Sequence, residues 1–230
     1  MSRPTRLIAP LLALVFLIAV SGSFPVGAQG WNLEDALKQI EKATKGIKGV
    51  TAEVELSDVQ GGEEASTSSG KVSVSFQGKV RFELSDDDSR TILCTPPVMY
   101  IHRPSQMTVE QFQLPQHPEK LAQYTLLGFQ PTGRAMKQDF LVTMLEEDSL
   151  DDKKVVVLEL TPKKEKLRAV IGKIHLWIDQ SNWLPTQQRV YYGASNTHLT
   201  VRYRNVARND SLNEAIFKPK WPKGTKKTKG

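Results

Sequence analysis

Val72-Ser73-Val74-Ser75-Phe76-Gln77-Gly78-Lys79-Val80-Arg81-Phe82-Glu83-Leu84 is the stretch that decides the fold. Apolar and polar residues alternate on both sides of Gly78. Val72, Val74 and Phe76 fall on one side of the first run, and Val80, Phe82 and Leu84 on one side of the second. That period of two predicts a pair of strands, each with one apolar face, joined at a glycine turn or kink.

The same pattern extends outward. Upstream, Val50, Ala52, Val54 and Leu56 alternate with Glu53, Glu55 and Ser57, predicting a half-buried strand over 50–59. Between the two, 61–70 is rich in Gly, Ser and Glu and reads as a polar, mobile loop. Before them, Leu33, Ala36, Leu37, Ile40, Ala43, Thr44 and Ile47 recur at helical spacing. Asn32 suits the N-cap of that helix, and Glu34 and Asp35 suit the positive end of its dipole.

Downstream, Ser85–Ser89 reads as an acidic turn. Strands follow over 91–94 and 98–102, separated by Pro96-Pro97, and another over 107–114. The middle changes character: Leu121, Ala122, Tyr124 and Leu126 predict a short amphipathic helix over 117–127, broken by 128–133, with a helical turn and a strand over 134–145. Strands resume over 154–160, 173–179, 184–192 and 198–207. The order is one helix, about five strands, a helical insertion, then four or five strands.

Sequential antiparallel strands with one apolar face each close into a barrel or pack as a sandwich. The expected class is mainly β with some α (α+β), the apolar face of the sheet being covered by the N-terminal helix, by the helical insertion or by a ligand. Such an arrangement either plugs the sheet with helices or leaves an apolar cavity suited to acyl chains, at about 0.8 kcal/mol per buried methylene. The wall of that cavity is predicted from Val72, Val74, Phe76, Val80, Phe82, Leu84, Ile92 and Tyr100. The lid is predicted from Leu33, Leu37, Ile40, Leu121 and Leu126.

The first 28 residues bound the function. Arg3 and Arg6 precede an apolar run over 7–20, and Val26-Gly27-Ala28 presents small residues for signal peptidase. This reads as a cleaved secretory signal, with Gln29 as mature N-terminus. The run is too short to span a bilayer comfortably, and no cysteine marks the cut for lipid attachment. The mature protein is expected outside the cytoplasm, in the periplasm, as a monomer with no nucleic-acid partner.

Net charge is +6, falling to +4 without Arg3 and Arg6. Residues 29–224 read as one domain with a sizeable core, followed by a basic tail over 225–230. Lys218, Lys220, Lys223, Lys226, Lys227 and Lys229 carry much of the surplus. They read either as a solvated, frayed terminus or as a segment drawn to anionic membrane, at roughly 1 kcal/mol per basic residue near the surface.

Catalysis finds little support. There is no G-x-S-x-G elbow. His102, His117, His175 and His198 are scattered with no metal-ligand spacing, and His175 reads as an outward-facing polar residue. Asp86, Asp87 and Asp88 lack the alternation of a calcium loop and read as a solvated turn, as do Glu146, Glu147, Asp148, Asp151 and Asp152. Cys94, the single cysteine, lies among apolar residues and reads as a buried thiol. Trp177, Trp183 and Trp221 read as packing residues. No metal or cofactor is expected.

Several of these stretches together resemble the LolA-type outer-membrane lipoprotein carriers and their wider superfamily, which includes LolB and RseB. The resemblance rests on the post-signal helix Leu33–Ile47 and on the strand pairs containing Val72–Phe76, Val80–Leu84, Ile92-Leu93 and Met99–His102. It continues through Leu158-Glu159-Leu160-Thr161-Pro162, Ile174–Asp179, Leu184-Pro185 and Gly193. Arg202-Tyr203-Arg204-Asn205-Val206 with Asn209 and Leu212, and Phe217 with Pro222 and Gly224, complete it.

What the resemblance implies is an open, incomplete antiparallel β-barrel, covered by the N-terminal helix and a helical lid insertion, that binds acyl chains. The protein would take a lipoprotein from an inner-membrane release transporter and hand it to an outer-membrane acceptor, without covalent chemistry. An RseB-like sensor that binds lipid and reports to a membrane regulator is the alternative. The chain departs from the carriers at one place: where they have an inward-facing arginine that latches the lid, the position nearest in register is Phe76.

Overall fold

The computed structural model describes residues 30–86, 88–117, 120, 133–193, 196–209 and 212–230. Helix α1 (Leu33–Thr44) begins where Asn32 accepts the backbone N–H of Asp35 at 3.0 Å, the N-cap read from sequence. The strands are β1 (Gly49–Gln60), β2 (Glu63–Ser75), β3 (Lys79–Leu84), β4 (Arg90–Thr95), β5 (Val98–Arg103) and β6 (Thr108–Gln113). A short helix α2 (Gly133–Asp139) leads into β7 (Phe140–Leu150) and β8 (Lys153–Pro162). One helical turn, α3 (Glu165–Arg168), precedes β9 (Ile171–Asp179), β10 (Pro185–Tyr192), β11 (His198–Asn209) and β12 (Lys226–Lys229).

All twelve strands form one sheet in the order β12-β6-β5-β4-β3-β2-β1-β11-β10-β9-β8-β7. Its terminal strands, β12 and β7, are not paired to each other, so the sheet is open as expected. Every pairing is antiparallel except β12 on β6. Hairpins join sequence neighbours along each half. The join between halves is non-local: β1 pairs β11, with Val54 opposite Tyr203 and Leu56 opposite Val201.

Three sequence expectations are corrected. The polar stretch 61–70 is not a loop: the turn is confined to Gly61-Gly62, both at positive φ, and Glu63–Gly70 forms the first part of β2. Main-chain bonding there is independent of side-chain polarity, and Ser57 and Thr67 meet across the ladder with hydroxyls 3.4 Å apart. Glu146, Glu147 and Asp148 belong to β7, and the turn is made by Asp151 and Asp152, both at positive φ. The basic terminus is not frayed. Lys226–Lys229 pairs with β6, where Lys226 N–H donates to Met107 C=O at 2.8 Å.

The predicted lid helix over 117–127, with Leu121 and Leu126, and the signal segment 1–28 lie outside the described residues. No helix among the described residues is long and apolar enough to cross a membrane.

The core has three parts. On one face, α1 and α2 cover β7–β10: Ala36, Leu37, Ile40 and Met136 pack with Val142, Leu158, Leu160, Ile174, Leu176 and Val190. On the same face, β1–β6 and β11 carry a second cluster. On the opposite face, the chain after β11 runs over β3–β5 as a strap, burying Leu93, Leu212 and Phe217 together.

Candidate functional site

Register places the predicted wall residues. Val72 stands opposite Phe82 and Val74 opposite Val80; Phe82 in turn stands opposite Ile92, and Ile92 opposite Ile101. Because side chains alternate across a strand, these residues share one face. Val72, Val74, Val80, Phe82, Leu84 and Ile92 are buried there with Val50, Val54, Leu56, Met99, Phe112, Leu199 and Val201. Phe76, just past the end of β2, is half-buried against the same cluster. Phe82 sits at the middle, 1% exposed.

Among the described residues, no α-helix contributes a side chain to this cluster. Leu33, Leu37 and Ile40 are therefore not over the predicted wall: they pack on the neighbouring β7–β10 half. Tyr100 is also elsewhere. It stands opposite Leu93 in β4, on the other face, with its ring 5.9 Å from Trp221. Ile101 takes the inward position instead. Val98–His102 is apolar or aromatic at nearly every position, so alternation alone does not say which set points inward.

Polar groups enter this face at two places. Gln188 lies between Leu176 and Val201 in register, and Tyr203 is buried within the cluster, where desolvation pushes its phenol well above the usual range. At one end, beyond Ile92 and Ile101 in the alternation, come Arg90 and Arg103. Arg90 donates to the Ser68 hydroxyl at 3.0 Å and to the Asp88 carboxylate at 3.2 Å; Arg103 pairs with Glu110 at 2.9 Å. Both arginines lie on the inward side of the alternation, and among the described residues their partners include Ser68, Asp88 and Glu110. Reading the alternation two residues past Ile92 and Ile101 finds both.

The remaining candidates behave as packing or surface groups. Cys94 is buried in the apolar cluster, and burial pushes its thiol up to about 11. A thiol so held is protonated at neutral pH and unreactive. His175 faces outward and meets Glu159 at 2.9 Å, and Lys173 meets the same carboxylate at 2.9 Å. These two bonds hold Glu159 below the usual carboxylate range. His102 is buried under Trp221, its ring stacked at 4.9 Å; desolvation, with the nearby Arg81 charge, lowers its pKa. Trp183 packs edge-on against Trp31 at 4.6 Å. No group of three or more His, Cys, Asp or Glu side chains suited to a metal occurs among the described residues.

Clefts among the described residues include the following pair. One, of about 500 Å³, crosses β11, β1, β2 and β3 on the polar face, with Glu53, Glu55, Lys71, Glu83 and Arg204 around Gly70. The other, of about 580 Å³, lies between Trp31–Leu33 and the edge strand β7. Neither is lined by Phe82 or Ile92.

The chain is similar to a solved structure, an uncharacterized conserved protein from Thermus thermophilus. It is 11% identical, with 86% of this chain and 98% of that chain covered and a TM-score of 0.55. The two proteins share a fold. Similar too is a LolA superfamily protein from Nitrosomonas europaea, 15% identical over 83% of this chain and 99% of that one, with a TM-score of 0.44. A chain of the Pseudomonas aeruginosa MucA/MucB complex is similar at 12% identity, covering 81% of this chain and 60% of that one, with a TM-score of 0.43. A family model described as uncharacterized protein matches residues 132–215. No curated protein matches the chain.

Proposed function

We propose that this protein is a non-catalytic periplasmic carrier. It holds the acyl chains of a lipoprotein, or of a related membrane lipid, against the apolar face of β1–β6 and β11. In the full reading it receives cargo from an inner-membrane release transporter and delivers it to an outer-membrane acceptor.

One observation carries the proposal. The face centred on Phe82 is apolar across seven neighbouring strands, yet no α-helix among the described residues packs on it, while α1 and α2 are spent on β7–β10. Side chains of that size are each worth on the order of 1.5–3 kcal/mol when kept from water, and Phe82 is 1% exposed, so whatever displaces their present neighbours must itself be apolar. Hydrocarbon tails meet that demand without directional bonding, which suits a carrier that must release its cargo. The LolA-like sequence motifs and the open antiparallel sheet support the same reading. The Arg90–Arg103 cluster at the end of the face would hold a polar headgroup there while the tails lie along Phe82 and Ile101.

The test is native mass spectrometry and lipid extraction of the protein purified from the periplasm, followed by titration with a fluorescent fatty-acyl probe. The expected result is a co-purifying lipid or lipoprotein that the probe displaces. Recovery of empty protein that also ignores the probe refutes the carrier. Co-purification with a membrane-bound regulator in place of lipid would favour the sensor.

A further inference from the structure

The strap and β12 carry a charge pattern that the acyl-binding face does not use. Residues 215–230 contain six lysines and no Asp or Glu. All six are exposed, and the structure fixes their backbone. Trp221 stacks on His102 and lies against Tyr100, Gly224 turns at φ +91 beside the Met107 side chain, and β12 pairs with β6. Met107, 41% exposed, stands at this corner, so the lysines surround an exposed apolar side chain and a half-buried indole.

Lysines on an edge strand guard against edge-to-edge aggregation, and this accounts for Lys226, Lys227 and Lys229. It does not account for Lys218, Lys220 and Lys223, which lie on the strap outside the ladder. The strand at the other end of the sheet order is opposite in charge. β7 carries Glu146, Glu147 and Asp148, with Asp151 and Asp152 in the turn that follows.

We infer that the strap–β12 edge is a docking surface for an anionic lipid bilayer. A flat sheet of mobile anionic headgroups complements six lysines that share no pocket. Trp221 is a residue type that settles at the boundary between headgroups and acyl chains, and Met107 adds exposed apolar surface beside it. This docking surface does not depend on the acyl-binding face, and either can fail alone.

The experiment is sedimentation of the full mature protein with vesicles of phosphatidylcholine alone or with 30% phosphatidylglycerol. The expected result is binding to the anionic vesicles only, lost at 500 mM NaCl. At roughly fivefold per lysine, K218Q/K220Q/K223Q and K226Q/K227Q/K229Q should each weaken partitioning by about a hundredfold. The control K163Q/K164Q/K166Q removes the same charge beside α3 and should leave partitioning nearly unchanged.

Quenching by brominated lipid should reach Trp221 and fall in Trp221→Phe, a readout available even if a triple variant folds poorly. Four results overturn the inference: no binding to anionic vesicles, equal binding to neutral ones, equal loss in the control, or relief by inorganic phosphate at matched ionic strength. Vesicle binding with no acyl-probe binding would overturn the carrier alone.

Discussion

Phe82→Glu tests whether the face around Phe82 is an apolar interior, and its size follows from the structure. Phe82 is 1% exposed between Val72 and Ile92, packed within a cluster of buried apolar side chains. Replacing it forfeits about 2–3 kcal/mol of apolar burial at any pH. The new carboxyl must also stay protonated in the folded state, so its folded pKa rises above its unfolded value. In that window the native state binds more protons than the unfolded state, and stability therefore falls as pH rises. The slope is about 1.4 kcal/mol per pH unit, or roughly 3 kcal/mol between pH 4.5 and 7.

Together these approach the whole stability of an ordinary domain, about 5–15 kcal/mol. The variant should therefore fold with a modest deficit at pH 4.5 and be largely unfolded at pH 7. Urea melts of variant and parent at pH 4.5, 5.5 and 7 measure the difference. The acyl probe, added at pH 4.5 where the variant folds, should bind weakly because a polar group lies in its path. A deficit that stays constant with pH would mean that the carboxyl is solvated. The face would then be open to water, and the reasoning for an acyl site would fail.

Four further outcomes follow from the geometry. Trp221→Ala removes the indole's cover over His102 and Tyr100 and should cost about 1–3 kcal/mol in urea melts; an unchanged midpoint would mean that the strap is not anchored there. Gly70→Ala places a Cβ 2.0 Å from the Glu83 carbonyl oxygen, and the backbone shift that follows should destabilise by about 1–3 kcal/mol, with a neutral result refuting the close β2–β3 approach. Cys94 should resist a thiol reagent at pH 8 until urea unfolds the chain; labelling within seconds would contradict its burial. Glu159 has its pKa lowered by Lys173 and then His175, so it contributes stability above the ordinary carboxylate range that is lost as pH falls through its folded value. Glu159→Gln should flatten that acid limb by no more than about 1 kcal/mol, and an unaltered limb would dismiss the pairing.

The sequence by itself determined the local periods. The alternation in 72–84 located β2 and β3 because side chains on a strand must point to opposite faces, and the stripe from Leu33 to Thr44 marked α1 because its residues recur every three to four positions; Ile47, read as part of that stripe, lies past the helix end and packs on the other cluster. Val72, Val74, Phe82 and Ile92 could be assigned to one face on that ground.

Only the tertiary structure decided which face Tyr100 occupies, because both faces of β4 and β5 are apolar: one is covered by the strap through Leu93, the other belongs to the cluster of Ile92 and Ile101. It alone set β1 against β11 and brought the lysine-rich terminus onto β6 as a parallel strand. Such pairings are made by backbone N–H and C=O groups common to every residue, so no local pattern of side chains announces them.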